Sequence, residues 1–374
     1  MNKEKTKLIS FVWNNFDSDD RVKKKIDTLS KKFDSIIVYC VPKPKDYKRP
    51  IKKINNKITV RYINTKHIYN WIAQRLIFNE LFWTKQIIPE DLEADILVID
   101  CNDPDTLFAG KYIIEHYNQG YKLIYDSHEY HNDNYVPYPG LLGYYSRLAS
   151  YLHKKREQKY IYPVNKMIVV SNGIKYLIEK DNLTSVPINV IPNYSKKYES
   201  EIKNKKRIAT FVGGHSRPGL EKVIPLLQEL NYGIYHIGNP PKNKLKGVTY
   251  LGHLTKDNFM KHLEDSEIGI LYYDAPNKSF INSIPNKLSD YTQTNNLILT
   301  SSKLKEIVKI VKYYKIGFNI LAEWDDNERE FIKKTIKQQI FKLKESNLNK
   351  KFQIAKEKLC WETNEGKLLD IYLK

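Results

Sequence analysis

Cysteine is scarce in this chain of 374 residues: Cys40, Cys101 and Cys360 lie far apart, with no Cys-x-x-Cys pair. An odd, dispersed set argues against a disulfide framework and against a zinc site, and a reducing cytosol is the simplest setting. Long apolar runs are missing too. None approaches the ~18 residues needed to span a bilayer. The opening MNKEKTKLISFVW is charged and then strand-like, without a small-residue cleavage site, so it does not read as a signal peptide. Glycine and proline number only 15 and 16, too few for a fibrous or disordered chain. Acid is in short supply: 43 Asp and Glu stand against 62 Lys and Arg, a net charge of +19. Such a balance favours a polyanionic partner, whether nucleic acid, anionic membrane or phosphorylated substrate. Lysine is spread along the whole chain with abundant Asn, Ile and Tyr, and an AT-rich genome produces the same surface with no such partner. Both explanations stay open at this point.

The residues that are present suffice for folding. Hydrophobic content is 41%, and the length fits two domains better than one. Strand-like apolar runs at 7–13, 35–40, 94–100, 122–127, 166–171 and 188–192 alternate with helical spacing. The first helix follows Ser18, Asp19 and Asp20 and has an apolar face of Val22, Ile26, Leu29 and Phe33. The basic stretch 41–57 reads as loop. Residues 194–206 are polar and charged and read as a linker. Strands then resume at 207–213, 234–238, 248–251, 268–273 and 297–299, and the last ~45 residues read as helical. Repeated strand–helix–strand units predict parallel sheets, in two similar α/β halves with a substrate cleft between them.

The segment INSIPNKLSDYTQTNNLILTS at 281–301 is the most informative. Asn282 and Ser283 are placed to cap a helix, Pro285 suits its first turn, and Lys287 sits one turn inside. Free amides there fit an anion, although an ordinary surface helix has the same pattern. Gly213 and Gly214, followed by Arg217, lie between a strand and a helix, where backbone amides approach a ligand and a guanidinium can neutralise a diphosphate. Asp126, His128, Glu129 and His131 cluster at a strand end, where open α/β sheets place their ligands. The spacing is not that of a His-Glu-x-x-His zinc site. Two Asp-x-Asp triplets, at 17–19 and 103–105, are explained by helix capping without a metal. Residues 67–88 mix Trp71, Phe78, Phe82 and Trp83 with Arg75 and Lys85. They fit an interfacial helix on an anionic bilayer or an aromatic core-facing helix equally well.

Taken in order, these pieces resemble the family 4 glycosyltransferases of the GT-B fold. The elements that carry the resemblance are Asp20-Arg21-Val22, ADILVIDCNDPDTL, YDSHEY, KMIVVSNGI, Ile191-Pro192-Asn193, FVGGHSRPGLEKVI, YHIGN, TYLGHL, SIPNKLSDY and Cys360-Trp361-Glu362. They cover nearly the whole chain. The resemblance implies an α/β chain of GT-B architecture, with two Rossmann-like doubly wound domains facing a central cleft. Residues 1–195, joined by the last helix at about 358–374, form the acceptor-side domain, and 196–357 the nucleotide-sugar domain.

It also implies transfer of a sugar from a nucleotide-diphosphate donor to a glycan or lipid-linked acceptor, with retention of configuration and no metal cofactor. The donor falls to Gly213, Gly214, Arg217, Gly238, His253, Ser283, Ile284, Pro285, Asn286, Lys287 and Asp290, with Asp290 on the ribose. Catalysis falls to Asp126, His128, Glu129 and Asn282, and the acceptor side to Asp20 and Asp103. Asn282 stands where the family carries an acid. The setting expected is cytoplasmic, peripheral on the inner face of the membrane, with no nucleic acid as partner. A nucleotide-sugar 2-epimerase on the same fold and a non-catalytic basic binding protein are the alternatives.

Overall fold

The computed structural model describes residues 4–42, 50–63, 83–117, 121–133, 141–181, 183–200, 204–213, 219–241, 243–274 and 277–374. The chain divides into two compact units, one of Met1–Ile191 with Glu365–Lys374, the other of Pro192–Asn364. Each has its own sheet and its own apolar core.

The first unit runs β1 (Thr6–Val12), α1 (Asp20–Leu29), β2 (Ser35–Cys40), β3 (Ile51–Lys53), β4 (Ile58–Tyr62), β5 (Ile96–Asn102), α2 (Pro104–His116), β6 (Tyr121–Ser127), α3 (Leu141–Tyr160), β7 (Lys166–Val169), α4 (Asn172–Lys180) and β8 (Ile188–Val190). The strands lie in the order β3-β4-β2-β1-β5-β6-β7-β8, parallel except for the β3–β4 pair. Leu8, Ile9, Phe11, Ile99 and Leu123 are fully buried, as expected of parallel strands covered on both faces. The sheet departs from expectation at one edge. The end of the stretch read as loop pairs as β3, and β4 was not foreseen. In β4, Ile58, Val60 and Tyr62 face inward while Thr59 and Arg61 stay half-buried, a period-2 pattern too short to stand out in a basic segment.

The second unit runs β9 (Lys206–Val212), α5 (Leu220–Glu229), β10 (Gly233–Ile237), β11 (Val248–Tyr250), α6 (Lys256–Asp265), β12 (Ser266–Leu271), α7 (Lys278–Asn282), α8 (Asn286–Gln293), β13 (Leu297–Ser301), α9 (Lys305–Tyr314), β14 (Gly317–Ile320), α10 (Arg329–Glu345) and α11 (Leu348–Lys358). The last helix, α12 (Glu362–Leu373), leads the chain back into the first unit's share of residues. The sheet order is β11-β10-β9-β12-β13-β14, parallel at every described pair. Gly269 of β12 lets α8 press against the sheet: a Cβ there would stand 2.3 Å from the Tyr291 ring. The Tyr291 hydroxyl donates to the Thr210 carbonyl at 3.0 Å, which fixes α8 over the sheet.

The two strand orders place the candidate sites. In an open α/β sheet a crevice forms where successive connections leave a strand in opposite directions, beyond the strands' carboxyl ends. That point falls between β1 and β5 in the first unit and between β9 and β12 in the second.

Candidate functional site

At the switch point of the second sheet a small pocket is lined by Phe211, Val212, Leu220, Leu271, Tyr272, Tyr273, Pro285 and Lys287. The segment 281–301 supplies its floor differently from the sequence reading. Asn277 caps α7 by accepting from the Phe280 amide at 3.0 Å, so Asn282 ends that short helix instead of opening the next. The Asn282 side chain donates back to the Lys278 carbonyl at 2.8 Å. Pro285 is the N-cap of α8, and no side chain caps the helix. The start of α8 therefore keeps orphan amides in its first turn, at Asn286 and Lys287, where an anion fits. Ile284 is buried beneath the turn, and Ser283 donates to the Phe280 carbonyl at 3.4 Å.

Asp290 was expected to face a ribose. It is instead fully buried, with Oδ1 accepting from Ser195 Oγ at 2.6 Å and from Lys256 Nζ at 2.7 Å. Lys287 Nζ lies 3.5 Å from Oδ2, an atom that no hydrogen bond satisfies. Burial works against the Asp290 charge, but Lys287 and Lys256 outweigh it, so its pKa stays below the usual carboxylate value. The three-residue spacing puts Lys287 and Asp290 on one helix face. Asp290 thus anchors two cations near the start of α8. Lys256 and Ser195, which complete this cluster, carry no motif. Ser195 belongs to the stretch read as a polar linker, yet it and Tyr194 are buried.

Gly238 closes the neighbouring strand end. Its φ is 129°, and a Cβ there would stand 2.1 Å from the Gly213 carbonyl oxygen, so only glycine fits. Gly213 accepts from His236 Nε2 at 3.0 Å through that same oxygen, and its amide donates to Ile237 at 3.0 Å. His253 is exposed and pairs with Asn239 at 2.6 Å. Gly214 and Arg217 lie outside the described residues, as do 67–82 of the aromatic segment at 67–88; Trp83, which is described, is fully buried in the first unit's core.

At the switch point of the first sheet the structure assembles a buried charge network. Arg21 and Lys25 lie four residues apart on one face of α1 and reach the carboxyl ends of β5 and β6. Lys25 Nζ meets Asp100 and Asp126 at 2.9 Å each and the Asn102 amide oxygen at 2.5 Å. Arg21 donates to Asp126 at 2.6 Å and to the Ile191 carbonyl at 3.1 Å. Tyr372, from α12, donates to Asp100 at 2.5 Å. Burial opposes the charge on Lys25, but the two carboxylates outweigh it and hold its pKa raised. Burial likewise opposes the charge on Asp126, and Arg21, Lys25 and His128 together hold its pKa well below the usual range. With both oxygens committed to cations, Asp126 cannot serve as a free base; it anchors the network.

The two flanking histidines converge on Asp103. His128 Nδ1 is 3.4 Å and His131 Nε2 is 3.3 Å from its carboxylate, and the His128 amide donates to it at 3.0 Å. The expectation that Asp103 caps α2 is met by its position but not by its side chain, which makes no capping bond. Asp19 does cap α1, accepting from the Val22 amide at 3.1 Å. Asp20 is exposed and pairs with Lys23 at 2.7 Å, so the buried charged residue of Asp20-Arg21-Val22 is Arg21. Glu129 accepts from Ser127 through its carbonyl at 2.9 Å, beside this cluster.

No family model and no curated protein matches the sequence. Solved structures do match. Sucrose-phosphate synthase from Thermosynechococcus elongatus shares 10% identity over 98% of both chains, with a TM-score of 0.75. HepE of Anabaena, solved with UDP and glucose, shares 11% over 97% of this chain and 98% of that one, at 0.67. Starch synthase IV from Arabidopsis thaliana, whose catalytic domain was solved with ADP and acarbose, shares 9% over 99% and 98%, at 0.64. At these identities the likeness is one of fold: the chain has the two-sheet GT-B architecture.

Proposed function

We propose that this chain is a glycosyltransferase of the hexosyltransferase type. It would move a sugar from a nucleotide-diphosphate donor to a glycan or lipid-linked acceptor in cell-envelope or capsular polysaccharide synthesis. The observation that carries the reading is the uncapped start of α8, with Lys287 in its first turn, at the switch point of the second sheet. Departure of the nucleotide breaks the bond between the anomeric carbon and a diphosphate oxygen and leaves negative charge on that oxygen. Pre-placed amides and a fixed ammonium stabilise this charge most as it develops, which accelerates the step. The reading assigns the charge neutralisation to Lys287 and the α8 amides, so no metal is needed. The base is assigned to the strand end of Gly238 and His253. His128 is assigned to the sugar and acceptor, whose attack from the face that the leaving group occupied retains configuration. Calorimetric titration with UDP, ADP, GDP and CDP tests the donor site. One of them binds saturably; absence of binding by all four sinks the reading.

The acceptor side is supported by α3. Tyr144, Arg147, Leu148, Tyr151 and Lys155 form an exposed stripe, and Lys155 lies 5.7 Å from the centre of the Tyr151 ring. Aromatic and basic side chains on one exposed face suit an anionic bilayer surface. No described helix is long and apolar enough to cross a membrane. The reading is a peripheral enzyme on the cytoplasmic leaflet. Replacing Arg147 and Lys155 by glutamine is expected to weaken sedimentation with anionic phospholipid vesicles roughly thirtyfold, at about 1 kcal/mol per basic residue. Equal partitioning of wild type onto neutral and anionic vesicles removes the membrane part.

A further inference from the structure

Asp103 takes up a backbone conformation that needs a reason. Its φ of 64° and ψ of 162° lie outside the regions an aspartate prefers, at a cost of about 1–3 kcal/mol. Helix α2 does not require the side chain as a cap. Pro104 has no amide hydrogen, the Thr106 amide donates to the Asp103 carbonyl at 3.2 Å, and Thr106 Oγ1 donates to the Asn102 carbonyl at 2.8 Å. The Asp103 amide is itself tied to the Asp126 carbonyl at 3.0 Å, which locks the residue against the end of β6. Freed from capping, the carboxylate turns to the histidines, taking the His128 amide and lying against His128 Nδ1 and His131 Nε2.

The consequence falls on the other side of the His128 ring. Its Nε2 is buried and has no hydrogen-bond partner; the Asp126 Oδ2 atom is 3.6 Å away, too far for a hydrogen bond. We propose that Asp103 is a positioning residue: its carboxylate fixes the His128 ring through Nδ1 and leaves Nε2 as a donor for an oxygen of the substrate, a sugar hydroxyl or a phosphate oxygen. This deepens the glycosyltransferase reading and rests on it for the substrate class.

Charge supports the geometry. His128 faces Asp103 at the start of α2, Asp126 on β6 and Arg21 on α1. Burial and Arg21 disfavour its protonation, the two carboxylates outweigh them, and its pKa is raised. His131 faces Asp103, Glu157 on α3 and Glu129; burial is again outweighed, and its pKa is carried up to about 9. The two carboxylates thus favour the charged, donating form of the His128 ring.

The test is Asp103→Asn in the full chain, followed by imidazole NMR titration of both histidines. Asparagine has the shape of aspartate and its amide oxygen still accepts the His128 amide, so the same backbone contacts are kept. The His128 titration midpoint is expected to fall by about one to three pH units once the opposing charge is gone. His131→Gln, which leaves Asp103 to His128 alone, is expected to keep the His128 midpoint or raise it. An unchanged His128 midpoint in Asp103→Asn, or a fall in His131→Gln, overturns the proposal. Turnover separates the two levels. With an active wild type, kcat of Asp103→Asn falls with little change in donor KM and its alkaline limb moves to lower pH; a change confined to KM counts against positioning. A shifted midpoint in a chain that turns over no nucleotide sugar overturns the glycosyltransferase reading and leaves the positioning of His128 standing.

Discussion

Lys287→Ala is expected to lower nucleotide-sugar turnover by about 10²–10³-fold, the loss seen when one fixed donor to a developing anion is removed. The side chain is held in place by two neighbours. It lies 3.5 Å from the buried carboxylate of Asp290 and 5.2 Å from the centre of the Phe259 ring. Both contacts fix an ammonium that lines the pocket at the start of α8. Substitution leaves the α8 amides in place, so some nucleoside diphosphate affinity remains while kcat carries most of the loss. Lys287→Arg keeps the charge and is expected to recover part of the rate. Asp290→Asn loosens Lys287 and Lys256 without removing either and is expected to cost less than Lys287→Ala. Steady-state kinetics on the three variants checks the order, and full activity in Lys287→Ala would remove α8 from the donor site.

Lys25→Met is expected to cost about 3–5 kcal/mol of folding stability, because it strands two carboxylates that water cannot reach. Asp100 and Asp126 are 0% and 1% exposed. Arg21 continues to serve Asp126, and Ser10 and Tyr372 continue to serve Asp100, but the shared cation at the centre is gone. Urea unfolding measures the loss; a change within about 0.5 kcal/mol, the range of ordinary surface substitutions, would show that the network is unimportant to stability. The same network sets an acid limit. The Asp126 pKa is depressed in the fold, so its contribution is present above the ordinary value of 3.8 and is lost as pH falls toward the lower folded value.

Much of the fold was legible because parallel strands buried on both faces leave long apolar runs. ILVIDCN and KLIYDS announce β5 and β6, and two parallel α/β halves follow from the repetition of such strands with helices between them; the GT-B class came from the motif resemblance. The edge strands β3 and β14, and β4 next to β3, were not legible: they are three to five residues long, and the half-buried alternation of β4 in a basic segment looks like loop. In the candidate site, the helix within 283–290 was legible, but its start was misplaced: Pro285 is the N-cap where Asn282 or Ser283 was expected. Asn282 has the chemistry of a cap, and Asn277 took that role one turn earlier for α7. Lys25 is the clearest omission. It stands in a run of three lysines and reads as solvated surface. Its signal lay elsewhere, in the aspartates that end two apolar strands, since a carboxylate at 0% exposure demands a buried cation. Asp290 shows the converse: its motif singles it out, but whether it faces a ligand or anchors two lysines depends on packing that no motif contains.

The central claim is that the start of α8 holds the leaving diphosphate of a sugar donor. The most direct measurement is release of free nucleotide from a panel of UDP-, ADP-, GDP- and CDP-sugars, with wild type and Lys287→Ala side by side. The account predicts that wild type releases nucleotide from at least one donor and that Lys287→Ala releases it about a hundredfold more slowly. Release from none of the panel, or equal rates for the two proteins, would contradict it.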